Sequence, residues 1–294
     1  MVKHVSSRVK RWSGAVAVAA GYVPIAHATD DSVRLPSFCF GAFGFKPSRG
    51  GNYYAELGGA NDLIKHHHVI SRSVRDSAAF LDLTTPTTKP KYSKSNKAPF
   101  QSLRIAVDYG GLLGIEPEVG QIKALESTCK LLDNMGHDLV EWQQWSISGS
   151  EYFQNFENVM LSRIPTLIGL IEQATGNDFI NNEWLSPYIT SIGPTVLTLK
   201  GDELQRASEY FVQANLAINQ TMEDAKIDVV LSPVQPLDYL APDRISSYSQ
   251  FEDVKDDLNQ FLNYTALANG TGAPAMSVPL YWPNNGHPLG SLLR

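Results

Sequence analysis

The 294-residue sequence has a net charge of −6, with 43% hydrophobic and 18% charged residues. These values are typical of a globular protein with a sizeable core, and the length suffices for one large domain or two small ones. The acidic balance argues against a general nucleic-acid binder. Two cysteines do not make a disulfide framework, so Cys39 and Cys129 are expected to be reduced residues of the core.

The first thirty residues combine a basic start with an apolar run from Ala15 to Ala26. Together with Ala26-His27-Ala28, this pattern imitates a secretory signal and its cleavage site. The run is too short to cross a bilayer, which takes about 20 apolar residues. We interpret it as a helix of small residues followed by a strand, because the apparent cleavage site falls inside a longer motif. A cytoplasmic location is therefore expected, with a secreted or periplasmic one as the alternative.

Residues 21–50 contain a short apolar segment, a polar segment with Ser32 at its centre, and a glycine-spaced apolar segment. We predict a strand over 22–26, an exposed loop over 27–34 and a tightly packed turn behind the loop. Loops on a rigid scaffold often carry catalytic groups, and the glycines permit close backbone approach. Taken alone, this is a weak indication of a serine enzyme, since most loop serines form turns or caps.

The order of glycine, proline and polar residues in this stretch is more specific than its composition. It comprises Gly21, Pro24, Ala26, Thr29, Asp30, Ser32, Arg34, Pro36, Gly41, Gly44, Lys46, Pro47, Ser48 and Gly50. The order resembles the amidase signature family, whose members read approximately P-x-A-x-G-T-D-x-G-G-S-I-R-x-P-A and then G-x-x-G-x-K-P-[ST]-x-G-R. Residues 58–63, 70–78 and 272–280 resemble the family as well. Within it, the sequence looks most like bacterial amidases of the cyclic-dimer nylon-oligomer hydrolase type.

This resemblance implies hydrolysis of carbon–nitrogen amide bonds through a serine acyl-enzyme. Ser32 occupies the position of the family's nucleophile, and Thr29, Asp30 and Asp31 stand in the oxyanion loop before it. Arg34 is expected to be structural and to pair with Asp30. The resemblance implies a small-molecule amide as the substrate, no cofactor and no metal.

Two parts of the family's catalytic machinery are not recognisable in this sequence. An ungapped comparison places Lys10 where members have a relay serine, with Ser13 as a nearby substitute, and the lysine that accepts the proton lies further upstream in members. The glycine pair before the nucleophile is missing, so the loop reads Thr29-Asp30-Asp31-Ser32 and is two residues short. A serine is a weak nucleophile without a base, and one lost oxyanion donor costs about 3 to 4 kcal/mol in other acyl-transfer enzymes. We therefore expect weak activation of Ser32, with the Asp31 carboxylate repelling the developing negative charge.

Two segments between residues 64 and 100 carry no predicted chemistry. His66, His67 and His68 are adjacent and so point in different directions, with no carboxylate or cysteine at ligand spacing, so we expect a solvated loop. Residues 84–99 are rich in Thr, Pro, Lys and Ser without apolar periodicity. They are expected to form a surface linker within the domain.

A β-α-β pattern begins at residue 103. Residues 103–107 and 139–142 are apolar runs of strand length, and the helix between them ends at Gly136. Parallel strands joined by a helix predict a layered α/β architecture. The apolar face of the helix comprises Ile122, Leu125, Cys129 and Leu132.

Residues 151–200 are rich in aromatic side chains, and in the family this variable region lines the substrate pocket. The resemblance therefore implies that some of these residues form the pocket walls, over a floor built behind Ser32. Helical packing is the alternative role for each of them. The candidate pocket residues are Phe40, Phe43, Phe153, Phe156, Trp184 and Tyr188.

The last third of the sequence predicts a long amphipathic helix over 202–225, which leads into a strand over 227–232. Residues 287–290 resemble a family segment that is followed by further elements in members. The apolar face of the long helix comprises Leu204, Ala207, Phe211, Ala214, Ile218 and Ala225.

We therefore expect one amidase-signature domain over 1–294, an α/β/α sandwich with a mixed sheet covered by helices and incomplete at both ends. The alternatives to an active amidase are a catalytically inactive relative and a protein similar to the amidase-like subunit of an aminoacyl-tRNA amidotransferase. Neither a nucleic acid nor a membrane is an expected partner. Uncovered apolar surface and strand edges would make the isolated chain poorly soluble or homo-oligomeric.

Overall fold

The computed structural model describes residues 12–29, 31–52, 63–86, 91–97, 101–142, 145–162, 164–183, 185–197, 202–241, 244–283 and 286–294. Its strands form one mixed sheet of eight, in the order β1-β3-β2-β7-β8-β6-β4-β5. The strands are β1 (Ile25–Thr29), β2 (Phe43–Lys46), β3 (His67–Ser71), β4 (Arg104–Val107), β5 (Asp138–Glu141), β6 (Val229–Pro233), β7 (Ala275–Tyr281) and β8 (Leu289–Leu293).

Helices cover the sheet, which gives the mixed α/β architecture that the sequence predicts. Asp82 accepts backbone N–H groups from Tyr92 and Ser93, so a 3₁₀ helix at Tyr92–Lys97 folds back onto the helix before it. The α-helices are α1 (Ser13–Ala19), α2 (Asp31–Phe40), α3 (Val74–Thr84), α4 (Val119–Asn134), α5 (Gly149–Leu161), α6 (Ile164–Thr175), α7 (Pro187–Leu197), α8 (Glu203–Asp224), α9 (Phe251–Leu262) and α10 (Ala266–Thr271).

The predicted β-α-β unit is confirmed, since β4 lies parallel to both β5 and β6. In α4 the buried face is turned slightly from the predicted one: Leu125 is buried, whereas Ile122 and Leu132 are half-buried. The predicted long helix is α8, and Ala207, Phe211, Ala214 and Ile218 are its buried residues.

Two details of these predictions are wrong. Ala225 is exposed, because α8 ends at Asp224 and the chain turns away from the core. The three histidines are not in a solvated loop: His66 and His68 are buried, and His68 lies in β3. Pairing of β3 with β1 on one side and β2 on the other draws this segment into the sheet.

The predicted strand and loop at residues 22–34 are also corrected. The strand is β1, which begins at Ile25 and continues to Thr29 because every one of its residues has a partner on β3. Helix α2 begins at Asp31, so the predicted loop is mostly the end of a strand and the start of a helix. Residues Val33 to Phe38 are all buried, and this burial stabilises the helical conformation.

Candidate active site

Ser32 lies in the first turn of α2, at the point where the chain leaves β1. The first backbone N–H groups of a helix have no partner within the helix, and they give its N-terminus a partial positive charge. Pro36 lies inside α2 and has no N–H, so the helical hydrogen bond to the carbonyl of Ser32 is missing. The nucleophile position thus combines an electropositive helix end with a locally loosened first turn. Asp30 lies outside the described residues.

Arg34 fixes this end of α2 to the C-terminal part of the chain. Its guanidinium is fully buried, and Nη1 donates to the carbonyl oxygen of Thr265 at 2.8 Å. Nη2 donates to Oδ1 of Asn269. The expected structural role of Arg34 has a physical basis in these contacts, whereas its pairing with Asp30 stays a prediction.

Asn269 joins three segments around the same helix end. Its Nδ2 donates to the carbonyl oxygen of Ile64 at 2.9 Å, while its Oδ1 accepts from Arg34. Its backbone carbonyl accepts from Nη2 of Arg49 at 3.2 Å, and the same nitrogen donates to Gly270 O at 2.6 Å. Asn269 is not among the residues predicted from the sequence, although a polar residue within the apolar, small-residue run of α10 was a signal for it.

Cationic groups converge beside this network. Lys46 is fully buried at the end of β2, and its Nζ donates to the carbonyl oxygen of Pro47 at 2.8 Å. His66 contacts the carbonyl oxygen of Ile64 through Nδ1 at 3.1 Å. Burial first, and then the positive charges of Lys46, Arg34 and Arg49, lower the pKa of His66 to about 2. The imidazole is therefore neutral at physiological pH, in surroundings that favour negative charge.

Gly44 lets β2 pack directly against α2. A Cβ atom at this position would lie 2.1 Å from the carbonyl oxygen of Val33 and 2.5 Å from Oγ of Ser37. The close backbone approach that the sequence predicts behind Ser32 is confirmed at this glycine. Strand and helix are thereby held at a distance that no other residue type allows.

A family comparison connects this geometry to a class of proteins. The family model described as Amidase matches residues 13–293, which includes β1, α2, α10 and the segments between them. The chain belongs to the amidase family. The amidase signature read from residues 21–50 is thereby confirmed.

Two relatives show how the amidase chain compares with longer proteins. AmiC of Mycobacterium tuberculosis, a candidate amidase, is 28% identical over 96% of this chain and 59% of its own length. A candidate amidase of Synechocystis is 30% identical over 94% of this chain and 53% of its own length. The chain thus spans less than two thirds of the length of each of these relatives.

The fold is shared with a solved hydrolase. A structure of 6-aminohexanoate cyclic dimer hydrolase with its substrate superposes on 96% of this chain and 63% of its own chain, with a TM-score of 0.79 and 21% identity. At this identity the likeness establishes the fold. It agrees with the predicted sandwich and with the predicted resemblance to hydrolases of this type.

The candidate pocket aromatics of the amidase chain lie in separate buried clusters. Phe153 and Phe156 belong to the core around α5 and α8. Phe40 packs edge-to-face on Trp12, and Tyr188 packs on Phe251. Phe43 is buried in β2, and Trp184 lies outside the described residues. Packing is the role that the structure shows for these side chains, and a shared substrate pocket stays a prediction.

A cavity of about 360 Å³ lies against α5, α9 and the loop after β4. This volume is within the range of small-molecule sites, about 300 to 1,000 Å³. Lys255 and Glu157 form an ion pair of 2.9 Å at its wall. Of the candidate pocket residues that the structure describes, Phe153 alone borders it. The lining residues are Leu113, Ile115, Ser150, Phe153, Gln154, Glu157, Lys255, Asp256, Asn259 and Gln260.

Neither a large cluster of metal-ligating side chains nor a membrane-spanning helix is found in the described part of the chain. Among the residues that the structure describes, no group of three or more His, Cys, Asp or Glu side chains is arranged around a common point suited to a metal ion. The described helices include none with the length and apolar character of a bilayer-spanning segment.

Proposed function

We propose that this chain hydrolyses carbon–nitrogen amide bonds through an acyl-enzyme on Ser32. The placement of Ser32 in the first turn of α2, directly after β1, is the observation that carries the proposal. Membership of the amidase family supplies the reaction class. The proposed substrate is a small-molecule amide, the proposed location is the cytoplasm, and a homo-oligomer is the proposed state.

The groups around α2 have distinct roles in this reaction. The Ser32 oxygen attacks the amide carbonyl, and the carbonyl oxygen gains negative charge in the tetrahedral intermediate. The N-terminal amides of α2 favour that charge. Collapse of the intermediate releases the amine and leaves an ester on Ser32, which water then hydrolyses to the free acid.

Activation of Ser32 is the slow part of this scheme. Asp31 precedes Ser32 in the sequence, and residues 7–13 do not match the relay-serine motif of the family. A serine hydroxyl is a weak nucleophile until a base accepts its proton, so formation of the acyl-enzyme is the slower step in this proposal. We therefore propose slow turnover that depends on Ser32 and shows no initial burst of released amine.

The test measures amine release and covalent labelling together. Purified chain is incubated with p-nitroanilides of short acyl groups and with 6-aminohexanoate cyclic dimer, and separately with a fluorophosphonate probe followed by mass spectrometry. We expect slow amine release from at least one amide, without a burst, which disappears in Ser32→Ala and persists in the control Ser48→Ala. Ser48 is the matched control because it is an exposed serine of the same signature.

Two outcomes would contradict the proposal. Amine release that persists in Ser32→Ala would remove Ser32 from the nucleophile position, and no release above the uncatalysed rate would favour the alternative of an inactive relative. Rapid stoichiometric fluorophosphonate labelling at Ser32 would instead show that the serine has an efficient base. That result would contradict the proposed slow activation and leave the proposed amide hydrolysis standing.

A further inference from the structure

Two histidines share one face at the β1 side of the sheet. His27 on β1 is paired with Val69 of β3, and Thr29 is paired with His67. Because side chains alternate along a strand, His67 projects on the same face as Val69 and is the diagonal neighbour of His27. His27 is exposed and His67 is half-buried, so solvent reaches the pair.

The two rings present nitrogen atoms to each other at short range. Nε2 of His27 lies 3.2 Å from Nδ1 of His67, and the ring planes are inclined by 20°. Imidazole nitrogens bind ions such as Zn²⁺ at about 2.0 to 2.1 Å, so two of them on adjacent coordination positions are separated by about 2.9 to 3.4 Å. The two nitrogens share a hydrogen bond in the structure, and their separation is also that of two ligands on one ion. A bound ion would take the place of this hydrogen bond.

We propose that His27 and His67 together chelate one first-row transition-metal ion, with water completing the coordination. Neutral imidazole is a preferred ligand of Zn²⁺, Cu²⁺ and Ni²⁺, whereas Mg²⁺ and Ca²⁺ require oxygen ligands. The site therefore selects the first group of cations. It uses two protein ligands, in agreement with the lack of three-residue clusters among the described residues.

The neighbouring histidines do not join the pair. His66 and His68 are buried, His66 against the carbonyl oxygen of Ile64 and His68 against Oγ of Ser77 at 2.8 Å. Lys65 weakens cation binding at the site, because its positive charge repels a bound cation.

Metal binding has a structural consequence at this edge. β1 has a strand partner on one side only within the described sheet, and the chain enters α2 two residues after its end. An ion held by both strands stabilises the folded state, because the unfolded chain does not hold the two rings together. The site acts as a clamp between β1 and β3, independently of amide hydrolysis.

The experiment uses the untagged full chain and its variants. Zn²⁺ binding is measured by isothermal titration calorimetry, and Cu²⁺ coordination is measured by electron paramagnetic resonance. We expect one ion per chain, two nitrogen ligands in the Cu²⁺ spectrum, and a rise in the midpoint of thermal unfolding with Zn²⁺. His27→Ala and His67→Ala should each weaken binding about tenfold or more, since each leaves a single ligand. Both variants are checked by circular dichroism.

Two further variants make the test specific. Lys65→Gln should tighten binding about threefold at low ionic strength, because it removes a repelling charge, and the gain should shrink with added salt. The control His287→Ala removes a histidine that packs on Tyr239 instead, and it should bind as the parent chain does. The proposal is overturned if no binding is detected, or if folded His27→Ala and His67→Ala bind Zn²⁺ as tightly as the control.

Discussion

At the scale of single residues, helix α2 is held by buried polar contacts. Arg34 brings a permanent charge into the interior, where it requires acceptors, and Asn269 and Thr265 supply them. Asn269 also supplies the donor for the carbonyl of Ile64. Hydrogen bonds to charged groups contribute about 1.5 to 3 kcal/mol each, so loss of the Asn269 side chain is expected to lower the free energy of unfolding.

We predict that Asn269→Ala lowers the free energy of unfolding by about 2 to 4 kcal/mol, because it leaves a buried guanidinium and a buried carbonyl short of a partner. Urea unfolding measures the loss. Asn269→Asp retains the acceptor for Arg34 and lacks the donor for Ile64, so it should recover part of the loss. The exposed Asn181→Ala is the control, with an expected change within about 0.5 kcal/mol. An Asn269→Ala protein as stable as this control would show that the network contributes nothing.

At the scale of elements, the packing of β2 on α2 depends on the absence of a side chain at Gly44. Gly44 places its backbone against Val33 and Ser37, and any side chain would separate strand and helix. α6 is the contrasting element: it is apolar in sequence, none of its residues is buried, and Gly169 within it has no neighbouring atom within 4 Å of an added Cβ. The same substitution should therefore have opposite effects in the two elements.

Gly44→Ala is predicted to destabilise the chain by about 3 kcal/mol or more, since the overlap is with backbone and cannot relax locally. Gly169→Ala is predicted to stabilise it by about 0.5 to 1 kcal/mol, because alanine loses less conformational freedom in a helix. Midpoints of urea unfolding for the two variants provide the comparison. Equal midpoints would contradict the close contact between β2 and α2.

At the scale of the whole molecule, a buried ion pair joins two strands that lie far apart in the sequence. Nη2 of Arg294, just after β8, lies 2.7 Å from Oδ2 of Asp108, just after β4. The indole of Trp145 donates to the same carboxylate oxygen at 3.0 Å, and the guanidinium stacks over that ring. Buried charges of this kind are stable only as pairs, so removal of either Arg294 or Asp108 leaves the other charge buried without its ion-pair partner.

Stability of the whole chain should depend on pH through its buried histidines. Burial lowers the pKa of His68 to about 4 from its usual 6.5, so the folded state binds this proton less readily than the unfolded chain does. The contribution of neutral His68 to the free energy of unfolding is fully present above about pH 6.5. This contribution, up to about 3 kcal/mol, is lost as the pH falls towards 4. His66 acts in the same direction.

We predict that His68→Phe reduces this dependence between about pH 7 and pH 4 and leaves the contribution of His66, since it removes one titrating group and keeps an aromatic ring next to Phe45 and Phe80. Free energies of unfolding from urea titrations at several pH values test it. Asn181→Ala removes no titrating group, so it serves as the control and should retain the slope of the parent chain. A slope unchanged in His68→Phe would assign the pH dependence to other groups.

The sequence by itself determined the family and the β-α-β unit, because these depend on local order and on the periodicity of apolar residues. The buried face of α8 from Ala207 to Ile218 was likewise determined by the sequence, through the spacing of its apolar residues. The apolar periodicity of a helix is visible within a few turns of sequence, and a signature motif is read from contiguous positions.

Only the tertiary structure decided that Ser32 lies in the first turn of a helix, that His68 is buried in β3 and that Arg34 is anchored by α10. The partners of Arg34 lie 231 and 235 residues further along the chain, and His27 meets His67 across 40 residues. No local pattern encodes such pairings. They follow from the strand order of the sheet, which the packing of the whole chain establishes.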